Sequence, residues 1–348
     1  MSILQFFPDP GDPDESLIDP FDPIVGQDQA IALLQGAITT NRIAPAYLFA
    51  GPAGVGKRLV AQCFAIALSN GFPTTNFLNE RLHKSNHPDL LWVEPTYLHQ
   101  GNLVTTTEAH TQKLEFKKPP QIRIEQVREI VKFLSRPPLE ASRSIVVIEQ
   151  ADTLADSAAN ALLKTLEEPG RATLILTASS THSLLPTIVS RCTHVPFRSL
   201  SRGDTKRVLQ QTGHGEILAD NTLLQLSWGS PGKAIASFNQ LNCIPQDLRR
   251  ALTELPLTTR QALELAFFID KTLDAQTQLW LIDYLQHCYW ELHHQPSIIQ
   301  HLENARNYLL KLAQSRLVWE VTLMQGFDTA PSQAYSVKYV SKNEVKNS

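Results

Sequence analysis

Residues 45–68 read "PAYLFAGPAGVGKRLVAQCFAIAL" and combine three features in one stretch. A short apolar run is followed by a glycine-rich turn and then by an apolar run of helical length. Gly51 to Lys57 match G-x-x-x-x-G-K, in which the glycines let backbone N–H groups point at phosphate and the lysine reaches the β/γ-phosphates. Because a strand precedes the turn and a helix follows it, the stretch predicts a phosphate-loop fold.

Apolar runs of strand length alternate with helical patterns as far as Pro196. The further strand candidates are "DLLWVEP", "SIVVIE", "TLILTA" and "THVPF", with helical patterns such as "RIEQVREIVKFLSR" and "ADSAANALLKTLEEP" among them. Buried strands separated by helices predict an α/β fold, with a parallel sheet covered by helices on both faces. After Pro196 only helical patterns follow.

The chain divides into five predicted segments. Residues 1–20 form a loose arm rich in proline and acidic residues, and residues 21–198 form the α/β core. Residues 199–243 predict a small helical unit, and residues 244–328 predict an all-α domain. The polar stretch 329–348 predicts a disordered tail.

Composition excludes several classes of function. The formal net charge of -3 argues against binding of nucleic acid by electrostatics alone, although a local basic face remains compatible with it. The longest apolar runs are too short for a membrane span, and the N-terminus lacks the pattern of a signal peptide, so we expect a cytoplasmic protein without membrane contact. The four cysteines are far apart and form no C-x-x-C pair. We therefore expect no disulfide framework and no zinc site built from cysteine pairs.

The stretch "SIVVIEQAD" at residues 144–152 supplies the second half of the predicted nucleotide site. In a working ATPase of this kind, the apolar strand ends in Asp-Glu, where the aspartate orients the metal and the glutamate polarises the attacking water. Here Glu149 takes the first position and Gln150 the second, and an amide is no base near neutral pH. Arg58 stands where a hydroxyl residue normally holds Mg²⁺. Two departures affect the same reaction, so we expect poor or absent hydrolysis, although ATP or ADP could still bind.

Three stretches, two of which contain the patterns above, resemble one family specifically. "NRIAPAYLFAGPAGVGK", "ADTLADSAANALLKTLEEP" and "SSTHSLLPTIVSRC" are similar to the AAA+ modules of bacterial clamp loaders, closest to the delta-prime type of DNA polymerase III subunit. The resemblance covers most of residues 22–330. It implies an AAA+ core, a helical lid at 199–243 and a collar at 244–328 that joins a hetero-pentamer with gamma/tau and delta subunits. It also implies support for loading of a sliding clamp onto primed DNA, as a component of the DNA polymerase III holoenzyme that is itself neither polymerase nor competent ATPase.

The resemblance assigns roles to individual residues. Arg191, in "SRC", is implied to enter the nucleotide site of a neighbouring subunit as an arginine finger in trans, where a guanidinium stabilises charge on the transferring phosphoryl group. The alternative is a surface arginine paired with an acid. Ser179 takes the sensor-1 position, although it could equally be a strand-end cap, and "GSPGKA" at 229–234 resembles sensor 2 without assigning Lys233 a contact. The predicted nucleotide-binding residues are Gly51, Pro52, Ala53, Gly54, Val55, Gly56, Lys57, Arg58, Glu149 and Ser179.

One feature that is common in the family is missing. The stretch 69–90, where many relatives carry four zinc-binding cysteines, has none, and the histidines of "HCYWELHH" suit a helix surface, so no zinc is expected. Arg128, Lys132 and Arg136 recur every four residues and form either a solvated helix face or a stripe that contacts DNA phosphates inside the assembled loader. Two other functions remain open: an active gamma/tau-type loader ATPase, and an AAA+ scaffold outside replication.

Overall fold

The computed structural model describes residues 19–69, 87–112, 114, 116, 119–253, 258–293 and 296–327. The chain separates into two compact units, residues 1–239 and 240–348. Most of the predicted arm, the cysteine-free stretch at 70–86, the last histidine of "HCYWELHH" and the predicted tail lie outside the described residues. The bounds predicted for the lid and the collar stay predictions.

The first unit is built on a parallel sheet. Among the described residues it has five strands in the order β2-β5-β6-β1-β7, and every neighbouring pair is parallel. A separate antiparallel hairpin, β3 and β4, is inserted after β2. The strands are β1 (Ala46–Ala50), β2 (Leu90–Val93), β3 (Thr96–His99), β4 (Asn102–Thr105), β5 (Ser144–Ile148), β6 (Ala172–Ala178) and β7 (Thr193–Pro196).

Helices follow the strands and cover the sheet. Short 3₁₀ turns at Ala151–Thr153, Thr181–Ser183 and Gly215–Ala219 complete the connections. The helices of this unit are α1 (Asp28–Thr39), α2 (Lys57–Leu68), α3 (Thr106–Thr111), α4 (Ile124–Leu134), α5 (Asp156–Glu167), α6 (Pro186–Val189), α7 (Arg202–Gln211) and α8 (Asn221–Ser227); α9 (Pro231–Cys243) contains the boundary between the units.

Strand β5 shows why both faces are covered. Successive side chains of a strand point to opposite faces. Ile145 and Val147 pack in the core that includes α1 and α2, whereas Val146 and Ile148 pack in the core that includes α4 and α5. All four side chains are fully buried. The predicted α/β class is confirmed, since a strand that is apolar throughout requires cover on both sides.

The second unit is entirely helical in its described residues. A buried polar group orders its core: Gln278 Oε1 accepts hydrogen bonds from Trp319 Nε1 at 3.0 Å and Ser315 Oγ at 2.6 Å. The indole of Trp319 is thereby fully buried with its N–H satisfied. No helix among the residues described is long and apolar enough to cross a bilayer. The helices are α10 (Gln246–Thr253), α11 (Thr259–Thr272), α12 (Ala275–His293), α13 (Pro296–Leu310) and α14 (Ser315–Phe327).

Candidate functional site

The predicted phosphate loop lies between β1 and α2, at the carboxyl edge of the sheet. Gly54 and Gly56 have φ angles of 74° and 102°, which side chains other than glycine rarely adopt. The Nζ atom of Lys57 donates to the carbonyl oxygens of Gly51 at 2.5 Å and Pro52 at 2.6 Å. Burial lowers the pKa of Lys57 to about 8, against the opposing effect of nearby Asp152 and Glu149. The Lys57 side chain is therefore hydrogen-bonded to the backbone of its own loop.

The most distinctive feature of this edge is a cluster around Arg58. Strands β2 and β5 are parallel neighbours, so Glu94 and Glu149, which follow them, lie side by side. The guanidinium of Arg58 donates to Glu149 Oε2 at 2.9 Å and to Glu94 Oε1 at 3.0 Å. Its central carbon lies 5.3 Å from the centre of the Trp92 ring, and Trp92 Nε1 donates to Glu149 at 3.1 Å. One cation is thus shared by two carboxylates and an aromatic face.

Both carboxylates are largely buried. The side chain of Glu94 is 11% exposed and that of Glu149 is 14% exposed. Burial raises the pKa of Glu149, and the positive charge of Arg58 together with the Trp92 hydrogen bond opposes that rise. The second oxygen of Glu94 accepts a hydrogen bond from Thr107 Oγ1 at 2.6 Å. Loss of Arg58 would therefore leave two poorly solvated negative charges side by side.

These residues do not fit a divalent cation. The side chain of residue 58 provides no oxygen ligand, and its guanidinium is already paired with the carboxylates of Glu94 and Glu149. Among the described residues, no group of three or more His, Cys, Asp or Glu side chains is arranged to hold a metal ion. The sequence showed that Arg58 lacks the hydroxyl that would hold Mg²⁺. The structure adds that its guanidinium is held in place by Glu94 and Glu149.

Gln150 and Ser179 follow neighbouring strands at the same edge. Gln150 has φ 51°, its side chain is exposed, and its backbone N–H donates to Thr177 Oγ1 at 3.0 Å. Ser179 Oγ donates to Asp152 Oδ2 at 2.9 Å. The position of a general base therefore holds a neutral amide, and the predicted sensor serine is bonded to a neighbouring acid.

Ser230, which directly precedes α9, and the first turn of α9 contact the phosphate loop. Ser230 Oγ donates to the carbonyl oxygen of Ala53 at 2.7 Å. The N–H of Gly232 donates to the carbonyl oxygen of Gly54 at 3.0 Å. A Cβ atom on Gly54 would lie 2.5 Å from Ser230 Oγ. The stretch "GSPGKA" resembled a sensor segment in sequence; in the structure its backbone and serine contact the loop.

Arg191 lies between α6 and β7, the strand at the edge of the sheet. Its guanidinium donates to Glu167 Oε1 at 2.6 Å and to the carbonyl oxygen of Thr187 at 2.9 Å. The side chains of Arg191 and Glu167 are 35% and 51% exposed. The pairing with an acid that sequence reasoning kept as an alternative is present, and it leaves Arg191 at the surface.

The predicted basic stripe is shorter than its sequence spacing suggests. Arg128 and Lys132 are exposed on α4 and one helical turn apart. Arg136 lies two residues beyond the end of the helix, because Pro137 and Pro138 prevent its continuation. Only Arg128 and Lys132 therefore share a helical face. The prediction that Arg136 belongs to the same face is wrong.

Sequence reasoning missed Glu94, Trp92 and Glu167 as members of these sites. Glu94 had a usable signal, because like Glu149 it directly follows a buried strand. Trp92 and Glu167 had no such signal. Trp92 contacts Glu149, 57 residues away, and Glu167 contacts Arg191, 24 residues away, and only the folded structure brings these pairs together.

Two family models match consecutive parts of the chain. The family model described as "DNA polymerase III, delta subunit" matches residues 26–201, just over half of the chain. The model described as "Cyanobacterial DNA polymerase III delta prime, C-terminal domain" matches residues 203–326. Together the two matches extend from the phosphate-loop unit to the helical C-terminal unit.

Individual relatives are also named as DNA polymerase III subunits. DNA polymerase III subunit delta' of Pseudomonas aeruginosa is 36% identical over 199 residues, which is 54% of this chain and 54% of that protein. The delta' subunit of Bacillus subtilis is 32% identical over 180 residues, 50% of this chain and 48% of that protein. The tau/gamma subunit of Haemophilus influenzae is 29% identical over 197 residues, 56% of this chain and 25% of that protein. The chain thus spans about half the length of the delta' relatives it matches.

A solved structure, a DNA polymerase III gamma subunit-related protein from Thermotoga maritima, aligns with 85% of this chain and 97% of its own, at 20% identity and a TM-score of 0.48. The family assignment does not depend on it; it follows from the two models that match consecutive parts of the sequence. This chain belongs to the DNA polymerase III delta-prime subunit family.

Proposed function

We propose that this chain is the delta-prime-like subunit of a DNA polymerase III clamp loader that hydrolyses little or no ATP itself. It supports ATP-driven loading of a sliding clamp on primed DNA and donates Arg191 to the nucleotide site of a neighbouring subunit. The observation that carries the proposal is the ion pairing of Arg58 with Glu149 and Glu94, which fills the catalytic edge of its own site. The partners are gamma/tau and delta subunits in a hetero-pentamer, joined through the predicted collar at 244–328.

The chemistry of the chain's own nucleotide site and that of Arg191 both support this proposal. Hydrolysis needs a base and a metal-bound phosphate, and the site of this chain offers Gln150 and a guanidinium in their places. Arg191 needs only to be an exposed cation at a subunit edge, and its pairing with exposed Glu167 is of the kind that contributes little stability. Exchange of Glu167 for a phosphate is therefore energetically accessible to Arg191.

The phosphate loop keeps a binding role in this proposal. Gly54, Gly56 and Lys57 retain the backbone and the charge that recognise phosphates, so ADP or ATP binds without turnover. Zinc has no part in the proposal.

Contact with DNA is proposed for Arg128 and Lys132, whose exposed side chains share one face of α4. Alanine at both positions should reduce the salt dependence of DNA binding by the assembled loader by up to about two phosphate contacts. An unchanged slope contradicts this part of the proposal. Arg136 remains a separate candidate beyond the helix.

The decisive experiment is Arg191→Ala in the reconstituted loader. We expect assembly to persist and DNA-stimulated ATPase to fall about tenfold or more, because fingers of this kind contribute roughly 10³–10⁵ in rate in other nucleotide hydrolases. Arg202→Ala, which removes an exposed arginine from α7, is the matched control and should leave the rate unchanged. Full ATPase activity in the Arg191→Ala complex contradicts the finger assignment.

The alternative is an active gamma/tau-type ATPase, and the match to a tau/gamma relative favours testing it. Turnover by the purified chain separates the two functions. Robust hydrolysis that disappears in Lys57→Ala supports the ATPase and contradicts our proposal. Failure of the chain to complete a loader made from the other subunits points instead to a scaffold outside replication.

A further inference from the structure

Two buried carboxylates next to a phosphate loop present an electrostatic problem. Glu94 and Glu149 lie at the ends of neighbouring strands, and a bound polyphosphate brings further negative charge to the same edge. Like charges in a poorly solvated site repel strongly, and a divalent cation is the usual remedy. This chain must resolve the problem differently, because its residues do not fit that ion.

We propose that Arg58 is the built-in counterion of this site, so that the loop binds a nucleoside diphosphate or triphosphate without Mg²⁺. The inference rests on the proposed function in one respect, namely that the loop binds nucleotide. The guanidinium already neutralises part of the charge of both carboxylates through hydrogen bonds of 2.9 and 3.0 Å. It is attached to the first turn of α2, the helix whose N-terminus faces the loop, so it is present before the nucleotide arrives.

The position of Arg58 is held by more than its two ion pairs. The ring of Trp92 lies against the guanidinium, and its N–H bonds to the same Glu149 oxygen that Arg58 contacts. Glu94 is oriented in turn by the hydroxyl of Thr107. Because each carboxylate is fixed by a second donor, the cation has one well-defined location. A diffusible ion would have to displace a charged group attached to the chain.

The test is equilibrium binding of a fluorescent ADP analogue, mant-ADP, to the full chain in EDTA and in Mg²⁺. For the native sequence we expect dissociation constants within about twofold of each other in the two media. Lys57→Ala should lose binding in both, which places the probe on the loop.

Substitution of Arg58 should change the metal requirement. In Arg58→Thr, which adds a hydroxyl and removes the cation, binding in EDTA should weaken about tenfold, and Mg²⁺ should restore it. Arg58→Lys retains the charge and should bind equally in both media. Thermal melting of each variant, compared with the native chain, verifies folding.

Three results overturn the inference: tightening of native binding by Mg²⁺ of tenfold or more, metal-independent binding by Arg58→Thr, and absence of binding by the native chain in both media. The native-chain measurement needs no variant, so a poorly folded Arg58→Thr does not remove the test. The Arg191→Ala experiment reads the ATPase of the assembled loader instead. The counterion inference can thus fail while the finger assignment of Arg191 stands, and the finger assignment can fail while the inference stands.

Discussion

Two arginines of this chain pair with glutamates in opposite ways. Arg58 joins two acids that are nearly buried, 11% and 14% exposed, whereas Arg191 joins one acid that is 51% exposed. Removing the cation from nearly buried acids leaves charges that water solvates poorly, whereas an exposed acid loses little when its partner is removed. Arg58 is therefore part of the structure of its own site, and Arg191 is available for exchange. If this difference holds, changes around Arg58 and the phosphate loop should have larger effects than changes around Arg191.

The phosphate loop should tolerate enlargement poorly. Gly54→Ala is expected to lower the free energy of unfolding by about 3 kcal/mol, because a side chain is disfavoured at φ 74° and its Cβ would overlap Ser230 Oγ. Gly213→Ala is the matched control: it has the same φ but nothing within 4 Å of the new Cβ, so about 1 kcal/mol is expected. Urea unfolding of the full chain measures both. Equal losses would mean that contact with the α9 turn does not restrict the loop.

Loss of Arg58 should destabilise the fold more than loss of Arg191. Arg58→Ala is expected to lower the free energy of unfolding by about 2 kcal/mol, less than a fully buried pair would lose because Arg58 itself is 47% exposed. Combination with Glu149→Gln should recover part of that loss, since one of the unpaired charges is removed. Denaturant titration of the single and double variants provides the measurement. An additive double variant contradicts the shared-cation description.

Lys57 should make stability depend on alkaline pH. Its pKa in the folded state, about 8, is below its ordinary 10.5, so the folded chain binds fewer protons than the unfolded chain between these values. Stability therefore rises with pH in that window as the partly buried ammonium loses its charge. We expect the native chain to gain about 1 kcal/mol relative to Lys57→Met between pH 7 and pH 9.5, after discounting for solvent. A constant difference between the two proteins across this range would refute the assignment.

The edge pair should contribute least. Glu167→Gln is expected to change the free energy of unfolding by less than about 0.5 kcal/mol, as exposed ion pairs usually do. In the assembled loader the same variant should keep at least half of the ATPase rate, because Arg191 remains able to reach a neighbour. Chemical denaturation and steady-state ATPase assays check the two parts. A loss as large as that of Arg58→Ala removes the distinction between the two arginines.

The local pattern predicted much of the fold. The glycine-rich turn between an apolar strand and an apolar helix is encoded within 24 residues, and β5 is apolar at four successive positions, which already requires two covered faces. The pattern predicts helix ends less closely: α4 ends at Leu134, before Arg136, because a proline disfavours helical geometry in the residue that precedes it. The absence of a hydroxyl at Arg58 and of a base at Gln150 could also be read directly.

The sequence by itself determined which groups are present: a phosphate loop, a guanidinium in place of a hydroxyl, an amide in place of a base, and an arginine in "SRC". Tertiary structure decided what each of them contacts. Arg58 meets Glu94 and Glu149 across separations of 36 and 91 residues, and Ser230 reaches Ala53 across 177. The physical reason is that pairing of parallel strands aligns their carboxyl ends at one edge, whereas a local pattern carries no information on which distant residue will arrive there.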